Sequence, residues 1–401
     1  MADALAVELV HWDATSQAAA LLPGVAARHA LPFGALRRRS RVHAISALKS
    51  LSQCVDAITR AGGFDTVVNL SSTRFACWLA PALAAEHGQV RGPSIDALGR
   101  YVASHPAITY LNDWGVDPSL SAFAHQDLYA LSAGVRLSGY PGLREAGGRR
   151  TGPIVFHVLG SERVKDWRTP ADWRHLVGQL GAELGRPCVL VGAPGEAAVL
   201  EDIARDSGAK VATWPLPACV DLLAEATGLV SVDTVAIHAA AQVGCPSVVL
   251  RQGSARGLAF VAGPQSLCVD ADPEPARIDD VVALAARHFT ARGVPLPEAT
   301  AIASRVRVRV GVRDDHGLLG LAKPEWMPRG IQAEDDDGSD ARWREVWREA
   351  FEGRMPDATT LEQLAIGRGR DDSARYDALL RDPSELGAHA RACGAPRRSA
   401  A

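Results

Sequence analysis

Two α/β units in succession, each a parallel sheet covered by helices on both faces, are what this sequence predicts. Three observations carry the reading. Short β-branched or apolar runs alternate with helix-patterned stretches from Leu5 to roughly Val249. The runs are apolar at successive residues rather than at every second one, as expected of strands buried on both faces of a parallel sheet. Between residues 138 and 153 the chain reads SGYPGLREAGGRRTGP, a Gly-, Pro- and Arg-rich break after which strand-like content resumes at Ile154.

The strand candidates, in order, are LAVELVH (from Leu5), Thr66 to Ser71, Ile154 to Leu159, Cys188 to Gly192, Leu229 to Val232 and Ser247 to Leu250. Between the first two, Ile45, Leu48, Leu51, Val55 and Ile58 recur three or four apart, one face of a helix that ends at a Gly pair. At ~150 residues per domain, 401 residues suggest two domains or two plus an appendage. The expected units are 1–145, 154–300 and a C-terminal extension, 301–401, helical and partly disordered. In the extension the alternation fades, and Trp343 and Trp347 are spaced for one amphipathic helix folded back onto a domain or used in an oligomer contact.

Composition narrows the function classes. A 47% hydrophobic content supports a sizeable core, and 43 Lys and Arg against 46 Asp and Glu create no global basic field for nucleic acid. No apolar run approaches the ~18 residues of a membrane helix, and the N-terminus lacks the basic-then-apolar pattern of a secretory signal. Seven scattered cysteines, odd in number and never CxxC, predict neither a disulfide framework nor a zinc ribbon. A soluble protein of a reducing compartment is the expectation.

Three short stretches could carry chemistry. In VSVDTVAIHAAAQVGCPSVVL a strand runs into Asp233 and Thr234, both good helix-capping residues, and an Ala-rich helix then ends at Gly244. That places an open helix N-terminus at the carboxyl edge of a parallel sheet, where phosphates meet amide donors and the positive dipole end. His238 follows one turn later and can face the same cleft. Capping by Asp233 and packing by His238 explain those two residues equally well. In FHVLGSERVKDWRTPADW a strand ends at Leu159, a loop carries Ser161 and Lys165, and a helix opens near Pro170. A lysine there can neutralise a diphosphate, although a lone loop lysine is usually just solvated; Trp167 and Trp173 read as packing residues. In LVGAPGEAAVLEDIA, Glu196 opens a helix, where a carboxylate can accept ribose hydroxyls or merely complement the helix dipole.

The order K-x-W then P, G-x-P-x-E, L-P-x-x-x-x-L-L-A (Leu216 to Ala224) and D-T-x-x-x-H-A-A resembles glycosyltransferase family 9, the ADP-heptose:lipopolysaccharide heptosyltransferases of the two-Rossmann-domain GT-B fold. The resemblance is tight over about Ile154 to Gly253 and loose before it. It implies that Lys165 holds a diphosphate, Glu196 the ribose, and Ser161 a phosphate oxygen. Asp233, Thr234 and the amides of Val235 and Ala236 would contact phosphates and the transferring sugar, with His238 lining the pocket. Two departures accompany it. Val235 stands where the family usually has Gly, and the chain opens on what matches the family's second strand, without the first β–α unit and its catalytic Gly-Asp pair. Asp13, Asp65 and His11 are the base candidates nearest to hand, none with motif support.

The activity so implied is inverting transfer of a sugar, heptose by analogy, from a nucleotide-sugar donor such as ADP-heptose. The acceptor would be a bacterial surface glycan such as lipopolysaccharide core. No metal and no cofactor are expected, since no DxD-like pair ends a strand. Nucleic acid is not an expected partner. The site of action would be the cytoplasm at the inner membrane's inner face, with peripheral membrane contact, and Arg37 to Arg39 with Arg41 offer a basic patch for phosphorylated lipid A core or simply a solvated surface. Three alternatives remain open: a non-catalytic nucleotide-sugar-binding scaffold, a nucleotide-sugar epimerase, and a protein-directed transferase.

Overall fold

A computed structural model describes residues 6–60, 62–113, 121–135, 150–160, 167–252, 261, 263–271, 276–290, 306–322, 324 and 339–354. The chain is an α/β protein built on one large, mostly parallel sheet preceded by smaller ones.

The first part contains β1 (Val7–Trp12), α1 (Ser16–Ala20), β2 (Val25–Leu31), α2 (Phe33–Val42), α3 (Ala44–Ile58), β3 (Phe64–Val68), α4 (Arg74–Leu83), β4 (Ala84–Arg91), β5 (Pro93–Ile95), β6 (Tyr101–Ala103), α5 (Pro106–Asp113) and α6 (His125–Ser132). β1 pairs in parallel with β2, and β3 with β4. Among the described residues the two pairs remain separate two-stranded sheets. They are held together instead by rings: Trp12 at the end of β1 lies 4.5 Å from Phe33 of α2 and 4.8 Å from Phe75 of α4. Helix α3 forms where its periodicity predicts and stops before Gly62 and Gly63, both at positive φ. Its apolar stripe is only partly covered: Leu51, Val55 and Ile58 are half-buried, while Ile45 and Leu48 are 73% and 65% exposed. Periodicity determines where a helix has an apolar face, but covering that face needs sheet surface, and two narrow sheets offer less than one broad one.

The large sheet follows. Its parallel strands are β7 (Ile154–His157), β8 (Cys188–Val191), β9 (Lys210–Ala212), β10 (Gly228–Val232), β11 (Ser247–Gln252) and β12 (Ser266–Ala271). The order β9-β8-β7-β10-β11-β12 is that of a doubly wound nucleotide-binding sheet, 3-2-1-4-5-6 counted from β7, and it reverses between β7 and β10. Helices α7 (Pro170–Leu184), α8 (Ala197–Ala204), α9 (Leu216–Glu225), α10 (Val235–Gln242) and α11 (Ile278–Thr290) cover it. One face packs Phe156, Leu190, Val230 and Leu250 against α7 and α11; the other packs Val155, Val191, Leu229 and Val249 against α9 and α10. Each such fully buried Val, Leu or Phe contributes roughly 1.5–3 kcal/mol, so this two-sided core is the stable centre. Strong caps frame α7: Thr169 accepts from the Asp172 N–H, Asp172 answers to the Thr169 N–H, and Gly185 closes the helix in the left-handed region.

The C-terminal extension departs from the helical expectation. β13 (Arg307–Arg313) and β14 (Leu319–Ala322) form an antiparallel hairpin that extends the large sheet beyond β12. RVRVGVR alternates with period two, a half-buried strand paired on both sides, with arginines interleaved. A helix does follow, α12 (Ser339–Phe351), and it folds back onto the first part of the chain. Trp347, 1% exposed, meets Tyr110 edge-on at 5.0 Å, and Tyr110 meets Phe123 at 5.1 Å. The side chain of Trp343 lies outside the described residues, as do the linker residues 136–149 and everything after 354. Asp127 of α6 ties the hairpin in, accepting from the Leu319 N–H (2.6 Å) and pairing with Arg313 (3.3 Å). No described helix is long and apolar enough to cross a membrane.

Candidate functional site

Ligands of open α/β sheets bind outside the carboxyl ends of the strands, at the point where strand order reverses. Here that point lies between β7 and β10, and of the residues singled out in the sequence Glu196, Asp233 and Thr234 follow the carboxyl ends of strands along the same edge.

After β10 the chain passes through Asp233 and Thr234 into α10. Of the two capping candidates, Thr234 is the cap: its Oγ1 accepts from the Ala236 N–H at 3.3 Å. Ser231 donates its hydroxyl to the Val232 carbonyl (2.7 Å), so the Ser231–Thr234 contact of 3.2 Å has Thr234 donating. Asp233 is buried at the strand end, 7% exposed and within electrostatic reach of Arg251. Ala236 is buried, whereas His238 is exposed and Val235 is 53% exposed. Gly244 ends the helix region in the left-handed conformation, as its position suggested.

The turn after β8 places Glu196. Pro194–Glu196 form one tight turn, and Glu196 Oε2 accepts from the Ala193 N–H at 2.7 Å. This carboxylate therefore closes its own turn with one oxygen. A Cβ at Gly192 would lie 2.5 Å from Glu196 Oε2 and 2.9 Å from Leu200 Cδ1, so a larger residue here would push both side-chain ends aside.

Ser161 and Lys165 lie outside the described residues. Their flanks are described: the end of β7 on one side and Trp167 on the other. Trp167 and Trp173 are 3% and 2% exposed with rings 5.2 Å apart, so both are packing residues.

A buried ionic cluster at the ends of β11 and β12 went unread in the sequence. Arg251 grips Asp270 with two bonds, Nε to Oδ1 at 2.6 Å and Nη2 to Oδ2 at 2.9 Å, and Arg309 adds a third at 2.7 Å. The one sequence signal was an arginine at the end of the apolar run SVVL, where a buried strand end is an expensive place for charge.

The base candidates are scattered. Asp13 opens the turn after the carboxyl end of β1, exposed, and accepts from the Ala14 N–H. His11 donates Nδ1–H to the Trp12 carbonyl. Asp65 sits near the amino end of β3, the edge opposite to a strand-end site. Helix α1, just after Asp13, touches the large sheet's rim: Gln17 Oε1 accepts from the Leu216 N–H at 2.9 Å, at the start of α9.

Cys54, Cys77, Cys188, Cys219, Cys245 and Cys268 are free thiols. Burial pushes Cys188 up to about 11 and Cys245 up to about 12, so neither is a thiolate nucleophile at neutral pH. Among the described residues no three His, Cys, Asp or Glu side chains cluster as metal ligands.

The strand order and the reversal point define a doubly wound, Rossmann-like α/β fold. Comparison with solved structures is more particular. Escherichia coli heptosyltransferase WaaC with ADP is 17% identical, with 72% of this chain and 91% of that chain covered at a TM-score of 0.50. E. coli ADP-heptose lps heptosyltransferase II is 13% identical, with 71% and 89% covered at 0.50. The chain thus has the GT-B fold of these heptosyltransferases. No family model matches it, and neither does any curated protein sequence.

Proposed function

We propose that this protein is an inverting glycosyltransferase that takes a nucleotide-sugar donor of the ADP-heptose kind and delivers the sugar to a bacterial surface glycan such as lipopolysaccharide core. The observation that carries the reading is one of placement. Glu196 after β8 and the Asp233–Thr234 entrance to α10 flank the reversal point of a doubly wound sheet, in the order the family motif requires. The fold is shared with an enzyme solved with ADP. On this reading Glu196 accepts ribose hydroxyls. Ser161, Lys165, Asp233, Thr234 and the first amides of α10, at Val235 and Ala236, face the diphosphate and sugar, with His238 beside them. Positive charge and the helix N-terminus stabilise the leaving diphosphate in place of a metal ion.

Calorimetry with ADP tests it. The chain should bind ADP, and Lys165→Ala should weaken that binding about 10- to 150-fold, the equivalent of one charge-assisted hydrogen bond at 1.5–3 kcal/mol. Unchanged ADP affinity in the variant would remove Lys165 from the site. Donor turnover that EDTA abolishes and Mg2+ restores would refute metal independence. ADP binding without donor hydrolysis would favour the non-catalytic scaffold, a reading supported by Val235 exposed on the first turn of α10 where the family carries Gly.

The proposed setting is the cytoplasmic face of the inner membrane. Supporting it, Arg37, Arg38, Arg39 and Arg41 are exposed on α2 beside Val42, 88% exposed, and the bare Ile45 and Leu48 of α3. Basic and apolar groups on one surface suit an anionic bilayer. The chain should co-sediment with vesicles containing anionic lipid and be released by salt. Equal recovery with neutral vesicles would rule out the basic contribution.

A further inference from the structure

His157 ends β7, the central strand beside the reversal point, opposite Ser231 of β10 in the register. By strand alternation it shares a face with Val155, whose side chain packs toward α9 and α10. Its Nδ1 is shut away from solvent and makes no hydrogen bond to another residue. The neighbouring hydroxyls are committed elsewhere, Ser231 to the Val232 carbonyl and Thr234 to Ser231. Burial depresses the imidazole pKa, with the Glu196 carboxylate pulling weakly the other way, so the ring is neutral at pH 7. Glu196 thus acts on His157 through space with no hydrogen bond between them, and its own Oε2 is taken by Ala193.

Apart from a weak contact with its own backbone the ring nitrogen has no partner, and burying it so is destabilising. Leucine at this position would serve the core better, so stability does not account for histidine. A polar group brought by a ligand to the strand end would supply the missing partner. We propose that His157 is a specificity residue of the donor site and, with Glu196, reads the vicinal diol of the donor ribose, one hydroxyl on each. This rests on the nucleotide-donor reading above and adds to it a residue that lies outside the family motif.

The test is calorimetric titration of the intact chain and of His157→Leu with ADP, 2′-deoxy-ADP and 3′-deoxy-ADP, alongside thermal melting of both proteins. The wild-type chain should prefer ADP over one deoxy analogue by about 2- to 12-fold, the range of one neutral hydrogen bond. His157→Leu should lose that factor for ADP, bind that analogue as the wild type does, and melt at or above the wild-type temperature. Equal discrimination in both proteins would overturn the assignment, and so would a uniform loss across all three nucleotides with a lowered melting temperature, the pattern of a structural histidine. If the wild-type chain binds no ADP, it is the donor reading that has failed, and this shows before any variant is compared.

Discussion

Arg251→Ala should destabilise the folded chain by about 3–5 kcal/mol, because removing one partner of a buried ion pair strands the other. Both side chains of the Arg251–Asp270 pair are 3% exposed. Arg309 would still hold Asp270 Oδ2, which places the expected cost toward the lower end of that range, but Oδ1 would lose its partner in a water-free strand end. The comparison that isolates the cause is Arg251→Met combined with Asp270→Leu. It removes the charges together, leaves Arg309 able to turn toward solvent from its 27% exposed position, and should recover most of the loss. Urea unfolding of the three proteins measures both quantities. A single variant within about 0.5 kcal/mol of wild type, the usual range of a surface substitution, would mean that the pair contributes nothing. The cluster also bears on the site: Asp233 lies within electrostatic reach of Arg251. Deleting the guanidinium should therefore weaken nucleotide binding as well as the fold.

The sequence disclosed the fold where strands were long, continuous and apolar. β7, β8, β10 and β11 were all legible because burial on both faces demands unbroken apolar runs. β9 was not, with three residues and an exposed Lys210 at its start. β12 was missed because SLCVDA has Ser at one end and Asp270 near the other, and that aspartate is tolerable only beside Arg251 and Arg309, which a linear reading does not bring together. The hairpin of β13 and β14 was overlooked although its period-two alternation is a genuine strand signal. The same limit applies to the site. Glu196 and Thr234 were found because strand ends and caps are local, but the choice of Thr234 over Asp233 as cap depends on backbone angles at the strand end. His157 looked like one more residue in a strand. Only the pairing of β7 with β10 and the absence of a partner for Nδ1 set it apart.

Mild acid should unfold this protein more readily than its carboxylates alone predict. His105, His125, His157 and His288 all have pKa values lowered from 6.5, each chiefly by burial. One has geometry that requires the neutral ring: His105 Nδ1 accepts from the Ala107 N–H at 3.1 Å, which a protonated nitrogen could not do. His288 donates Nε2–H to the Gln265 carbonyl at 2.8 Å, a bond that by itself favours the charged ring and is outweighed by burial. The folded values lie below the unfolded one, so between them the unfolded chain binds protons that the native chain refuses. Stability is then fully present above about pH 6.5 and is lost as the pH falls toward the depressed folded values. Each histidine can withdraw at most about 1.4 kcal/mol per pH unit in that window, so the decline steepens with every ring that the fold keeps neutral. Asp127 works the other way, its carboxyl raised by burial, but it acts closer to its ordinary value of 3.8 and leaves the histidine window intact. Urea unfolding at pH 7.5, 6.5 and 5.5 should show a steep decline over the last unit. His157→Leu should make that decline shallower, since one linked proton is gone. A flat profile from pH 7.5 to 5.5 would show that these rings protonate in the folded chain as easily as in the unfolded one, and that they are not buried as neutral groups.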